Sequence, residues 1–70
     1  MAGVQSIERA FSILRVLARG PVGVTEIAER TDLPKSTVSR ILAALESEGA
    51  VEQPQGGGYA VGGALATLAE

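Results

Sequence analysis

The chain has 70 residues, 46% of them hydrophobic and 20% charged, a balance that belongs to a globular chain with room for one small domain. It contains no cysteine and no histidine, which excludes disulfide staples, thiol nucleophiles, structural zinc held through Cys or His, and imidazole acid/base chemistry. Eight acidic residues against six basic give a net charge of −2, which at face value argues against nucleic acid and against an anionic membrane surface.

In chain order, Ile7, Ala10, Phe11, Leu14, Leu17 and Ala18 recur at helical spacing and predict an amphipathic first helix. Ser6 is its candidate N-cap, and Gly20-Pro21 is its stop. A break from Pro21 to Gly23 leads to Val24 and to Thr25, the candidate N-cap of a brief helix from Glu26 to Thr31 whose Ile27 and Ala28 face inward. Asp32-Leu33-Pro34 interrupts that helix, because the residue before a proline is pushed out of the α region while proline itself suits a first helical turn. A third helix is therefore expected from about 34 to 48, ending at Gly49. Beyond it, Ala50 to Gln53 and Tyr59 to Val61 are two short strands around a turn at Pro54 to Gly58, a small antiparallel hairpin. Ala64 to Glu70 reads as the first turns of a fourth helix, too short to stand alone in water.

The same residues argue against several other functions. No apolar run is long enough for a membrane span, and Met1 to Gln5 lacks the basic and apolar regions of a signal peptide, so no membrane and a cytoplasmic location are expected. The run Gly56 to Gly58 lacks the Lys and Ser/Thr of a phosphate-cradling loop. Phe11 and Tyr59 are the only aromatics, too few for a base-stacking platform. The glutamates have no histidine partner and no clustered ligand spacing, so neither an enzyme nor a metal or cofactor site is expected.

The order helix, short helix, tight turn, helix, hairpin outlines a mainly α fold with a small antiparallel β-hairpin, the winged helix-turn-helix. Val38, Ile41, Leu42 and Leu45 make one inward stripe on the third helix, Ala28 is small where two helices cross, and Asp32 tolerates a left-handed turn. Once that stripe points inward, Ser36, Arg40, Ala43 and Ser47 point out, with Thr37 and Ser39 on the flanks. An ordinary solvated face would carry Glu, Lys and Gln. This face is small and hydroxylated with one arginine, which suits close approach to a groove wall. Arg40 can fork onto guanine, Ser36, Thr37 and Ser39 can bond phosphates or base edges, and Ala43 can meet a thymine methyl. Lys35 and the open amides of the same helix suit a phosphate, and Thr25 and Arg9 are further phosphate candidates.

The chain resembles a known family over nearly its whole length. The segments that carry the likeness are Gln5 to Leu14, Val24 to Glu29, Leu33 to Leu42, Leu45 to Glu52 and Tyr59 to Gly62, above all Ser6-Ile7-Glu8-Arg9-Ala10 together with Leu33-Pro34-Lys35-Ser36-Thr37-Val38. In that combination the sequence resembles the N-terminal DNA-binding domain of IclR-type transcriptional regulators. The resemblance implies a recognition helix in the major groove, with Lys35, Ser36, Thr37, Ser39 and Arg40 inheriting DNA contact and Arg9 associated with it. It also implies dimers or tetramers on palindromic operators, and a C-terminal domain that binds a small effector. Residues 1–62 are accordingly expected to form the DNA-binding unit, and 63–70 to start a linker helix to a C-terminal domain absent from this sequence. Two departures stand out: Asp32 where the family usually has glycine, and Ala60 with a glycine-rich tip where the wing often carries basic or polar groups.

The leading reading is sequence-specific double-stranded DNA binding, and the alternative is a winged-helix protein-interaction or dimerisation module without DNA binding. The acidity and the cation-free wing favour the second. The distribution of charge favours the first, because residues 1 to 34 cancel, residues 35 to 45 carry only Lys35 and Arg40, and the excess acid lies in Glu46, Glu48, Glu52 and Glu70.

Overall fold

The computed structural model describes residues 4–70, so Met1 to Gly3, the first positions of the expected 1–62 unit and of the stretch judged against a signal peptide, lie outside the described residues. Four helices and a two-stranded sheet follow one another: α1 (Gln5–Leu17), α2 (Val24–Thr31), α3 (Lys35–Ser47), β1 (Val51–Glu52), β2 (Ala60–Val61) and α4 (Gly63–Ala69). The strands are antiparallel, with Val51 opposite Val61 and Glu52 opposite Ala60. This is the winged helix-turn-helix expected from the sequence.

Helices α1, α2 and α3 pack around Ile13, Leu17, Ile27, Ala28, Val38 and Leu42, and Val51 of β1 closes the cluster from the hairpin side. Ile13, Ile27, Val38 and Leu42 are completely shielded from solvent. The α3 stripe is therefore inward as its spacing predicts, with Ile41 and Leu45 half-buried at its margins. Turn chemistry ends the helices. Asp32 caps α2 in the left-handed region at φ 58°, ψ 37°, and Leu33 N–H returns to the Ala28 carbonyl at 3.2 Å. At the end of α3, Gly49 sits at φ 77°, Gly49 N–H bonds the Glu46 carbonyl and Ala50 N–H bonds the Leu45 carbonyl, a Schellman closure.

Three local expectations are corrected. Ser6 is not the N-cap of α1: the helix starts at Gln5, two residues earlier than that cap requires, and Val4, in extended geometry and without a side-chain cap, precedes it. Thr25 is not the N-cap of α2: Gly23 holds that place, and Thr25 lies in the first turn. Val22 explains the earlier start, since it exchanges two backbone hydrogen bonds with Tyr59 and so leads Gly23 out of an extended segment directly into the helix. The inward face of α1 is also shifted. Ile7 and Phe11, both on the expected apolar face, are 55% and 53% exposed, while Ile13, outside that set, is buried. Apolar side chains occupy so much of the α1 wheel that spacing alone leaves the choice of arc to the helices packed against it.

Candidate nucleic-acid interface

The third helix begins without a side-chain cap. Pro34 precedes it in extended geometry (φ −62°, ψ 147°), and the first amide to find a partner in the helix is Val38 N–H, on the Pro34 carbonyl at 3.0 Å. The amides of Lys35, Ser36 and Thr37 are thus presented at the helix start, where backbone donors and the helix dipole favour an anion. Around them Lys35, Ser36, Ser39, Arg40 and Ala43 are exposed, and Thr37 is half-buried. Ser47 is exposed as well, but its hydroxyl donates to the Ala44 carbonyl at 2.7 Å and so serves the helix end. The pattern is two-sided: Val38 and Leu42 anchor the helix, and a face of short polar groups and two cations is left for a partner.

Helix α1 contributes a second wall. Ser6 and Arg9 of α1 and Thr37, Arg40, Ile41 and Ala44 of α3 line one open concavity of about 430 Å3. Of the residues singled out from the sequence, it gathers Arg9, Thr37 and Arg40. Lys35, Ser36 and Ser39 lie on the exposed surface of α3 outside it, and Thr25 is exposed on α2. Ser6, Ile41 and Ala44 were missed as site residues. Helical spacing held a signal for each: Ser6 lies three residues before Arg9, and Ile41 and Ala44 lie four and seven after Thr37, on the same ridge.

Electrostatically the concavity is cationic and open. Among the described residues the one ion pair joins Arg30 to Glu26 within α2, so neither Arg9 nor Arg40 has a carboxylate within salt-bridge distance. The hairpin supplies no cation. Between Val51 and Val61 the only charged side chain is Glu52, and the tip consists of Gly56, Gly57 and Gly58, all at positive φ. Gln53 donates from Nε2 to both carboxylate oxygens of Glu46, at 3.3 and 3.2 Å, which ties the base of the hairpin to the last turn of α3. No described group of three acidic side chains is placed to hold a metal ion, and no described helix is long and apolar enough to cross a membrane.

Comparison with known proteins bears on the family and the fold. Residues 6–55 match the family described as the IclR helix-turn-helix domain. The glycerol operon regulatory protein of Streptomyces griseus is 44% identical over 68 residues, which cover 93% of this chain and 27% of that protein. The HTH-type transcriptional regulator TtgV of Pseudomonas putida is 46% identical over 69 residues, covering 94% of this chain and 27% of that protein. An IclR-type transcriptional regulator from Alicyclobacillus acidocaldarius, solved by crystallography, superposes with a TM-score of 0.88 at 35% identity, covering 96% of this chain and 28% of its own. The chain thus spans little more than a quarter of the length of these relatives.

Proposed function

Because the chain belongs to the IclR helix-turn-helix family, we propose that it binds double-stranded DNA sequence-specifically in transcription regulation, with α3 laid in the major groove. The observation that carries this reading is the outer face of α3: small and hydroxylated, with Lys35 and Arg40 as its cations and uncapped amides at its start. Lys35, Ser36 and Thr37 meet the backbone at the groove edge, Ser39 and Arg40 face base edges, and Thr25 and Arg9 add contacts from α2 and α1. The work assigned to these residues is binding, without covalent chemistry, and is placed in the cytoplasm.

The operator is palindromic and two copies of the domain occupy it. The support is an apolar ridge on α1, where Val4, Ile7 and Phe11 are each more than half exposed. With 3.6 residues per turn, Phe11 lies roughly 160° around the helix from Arg9, so α1 can meet a second copy on one side and DNA on the other. In a parent of the relatives' length a small-molecule effector acts through a C-terminal domain, and α4 begins the connector to it.

Selection of bound duplexes from a random pool, followed by titration of the selected site, tests the reading. The native chain is expected to enrich one sequence with two-fold symmetry. Arg40→Ala should cost roughly 1–3 kcal/mol per half-site and relax the preference at the base pair it reads. Failure to enrich any sequence would sink the function; enrichment with unchanged binding by Arg40→Ala would remove Arg40 from the site.

A further inference from the structure

The concavity between α1 and α3 combines charge, hydroxyls and apolar surface. The α1 wall carries Ser6 and Arg9, and the α3 wall carries Thr37 and Arg40 together with the apolar side chains of Ile41 and Ala44. It is an open groove rather than a closed cavity, so an isolated ion would leave most of its lining uncovered. Its chemistry is divided. Two guanidiniums with no carboxylate partner among the described residues, and two hydroxyls, share its lining with the apolar side chains of Ile41 and Ala44. The ligand that fits carries an anion and a compact, weakly polar body in one unit.

Resting on the DNA-binding reading above, we infer that this concavity seats one phosphodiester of the DNA backbone together with its deoxyribose. Arg9 forks onto the two non-bridging phosphate oxygens, the hydroxyls of Ser6 and Thr37 donate to the same oxygens, and the sugar lies against Ile41 and Ala44. Arg40 lines the same concavity, within the field of that phosphate. The seated backbone unit therefore sets the depth and register at which Arg40 meets its base pair. Arg9, thirty-one positions away in sequence, acts as a positioning residue for Arg40. A surface cation of no fixed partner would behave otherwise, adding affinity wherever a phosphate happened to pass.

The experiment uses the native chain and the duplex it selects, with single phosphates of each half-site replaced in turn by neutral methylphosphonates. Replacement at one position per half-site is expected to weaken binding about tenfold or more, as loss of a charge-assisted contact does, and neighbouring positions to matter less. Arg9→Gln should lower affinity by a similar factor on the natural duplex, reduce the salt slope by about one, and have almost no further effect on the duplex neutralised at that position. Ser6→Ala and Thr37→Val should show the same non-additivity at smaller amplitude. The Arg40→Ala discrimination loss should shrink on the neutralised duplex, since the register is already released. Arg9→Gln effects that stay additive with every methylphosphonate would overturn the shared seat while leaving operator binding intact. Absence of any selected duplex would instead strike the DNA-binding reading beneath it.

Discussion

Asp32 carries the turn between α2 and α3 in a backbone region that L-residues with a Cβ avoid, at φ 58°. Aspartate is among the few side chains that visit it, and glycine occupies it without steric cost. Asp32→Gly is expected to raise the thermal midpoint by a few degrees. Asp32→Val, β-branched at the same φ, should lower stability by about 1–2 kcal/mol; in a domain of this size roughly 4–8 °C accompanies each kcal/mol. Circular dichroism melts of the two variants check both signs. A different constraint holds Gly62. Its backbone is ordinary, but a Cβ there would sit 2.3 Å from the Gly49 carbonyl oxygen and 3.1 Å from the Ala50 carbonyl carbon, because Gly62 N–H bonds the Ala50 carbonyl at 2.8 Å. Gly62→Ala must push α4 away from the end of α3 and should cost roughly 1–3 kcal/mol. The adjacent Gly63 has open space around it, so Gly63→Ala should be neutral or slightly stabilising in the same melts.

Among the elements, α3 could be read from its residues almost completely, and α1 could not. The α3 stripe repeats at one helical spacing, is framed by Pro34 and Gly49, and leaves an opposite face with no large apolar residue, so a single orientation satisfies it. The α1 segment offers apolar residues on two arcs, one centred on Ile13 and Leu17 and one on Val4, Ile7 and Phe11. Propensity has no preference between them. Packing against α2 and α3 selects the first and leaves the second in solvent. The consequence is measurable. Ile13→Ala should cost roughly 2–5 kcal/mol, a large share of the roughly 4–10 kcal/mol that a chain of this length is worth. Phe11→Ser should change the unfolding free energy of the isolated domain far less and should act on self-association, so chemical denaturation and sedimentation of the two variants separate the arcs. The hairpin was visible in outline from its turn residues, yet its hydrogen-bond tie from Gln53 to Glu46 depends on how β1 returns beside α3.

For the molecule as a whole, charge is a matter of placement rather than sum. The net of −2 conceals three cations, Arg9, Lys35 and Arg40, at the proposed interface, and an acidic excess that begins with Glu46 in the last turn of α3 and continues beyond it. With Lys35 and Arg9 as the cations facing phosphates, the logarithm of affinity should fall with the logarithm of salt at a slope of about −2 per domain. A binding contact dominated by apolar surface would show almost none. Because the wing lacks a cation, Gln55→Lys, at an exposed position of the turn before Gly56, is expected to steepen that slope by about one and to raise affinity at low salt. Anisotropy titrations across a salt series read both numbers. On the proposed two-fold operator a second copy adds affinity, since its binding event is then intramolecular.

Local chemistry along the chain was enough for the number and order of the helices, the left-handed turn at Asp32, the orientation of α3 and the polar face it offers. These follow from backbone sterics, turn residues and periodicity, which act over a few positions. Which side of α1 lies inside, and that Ser6 and Arg9 meet Thr37 and Arg40 across one concavity, followed from the packing of three helices around a shared core. The physical reason is range. The residues on the two walls are about thirty positions apart, and no periodicity reaches that far; burial of Ile13, Val38 and Leu42 brings the walls together, and the site forms on the surface that this burial leaves behind.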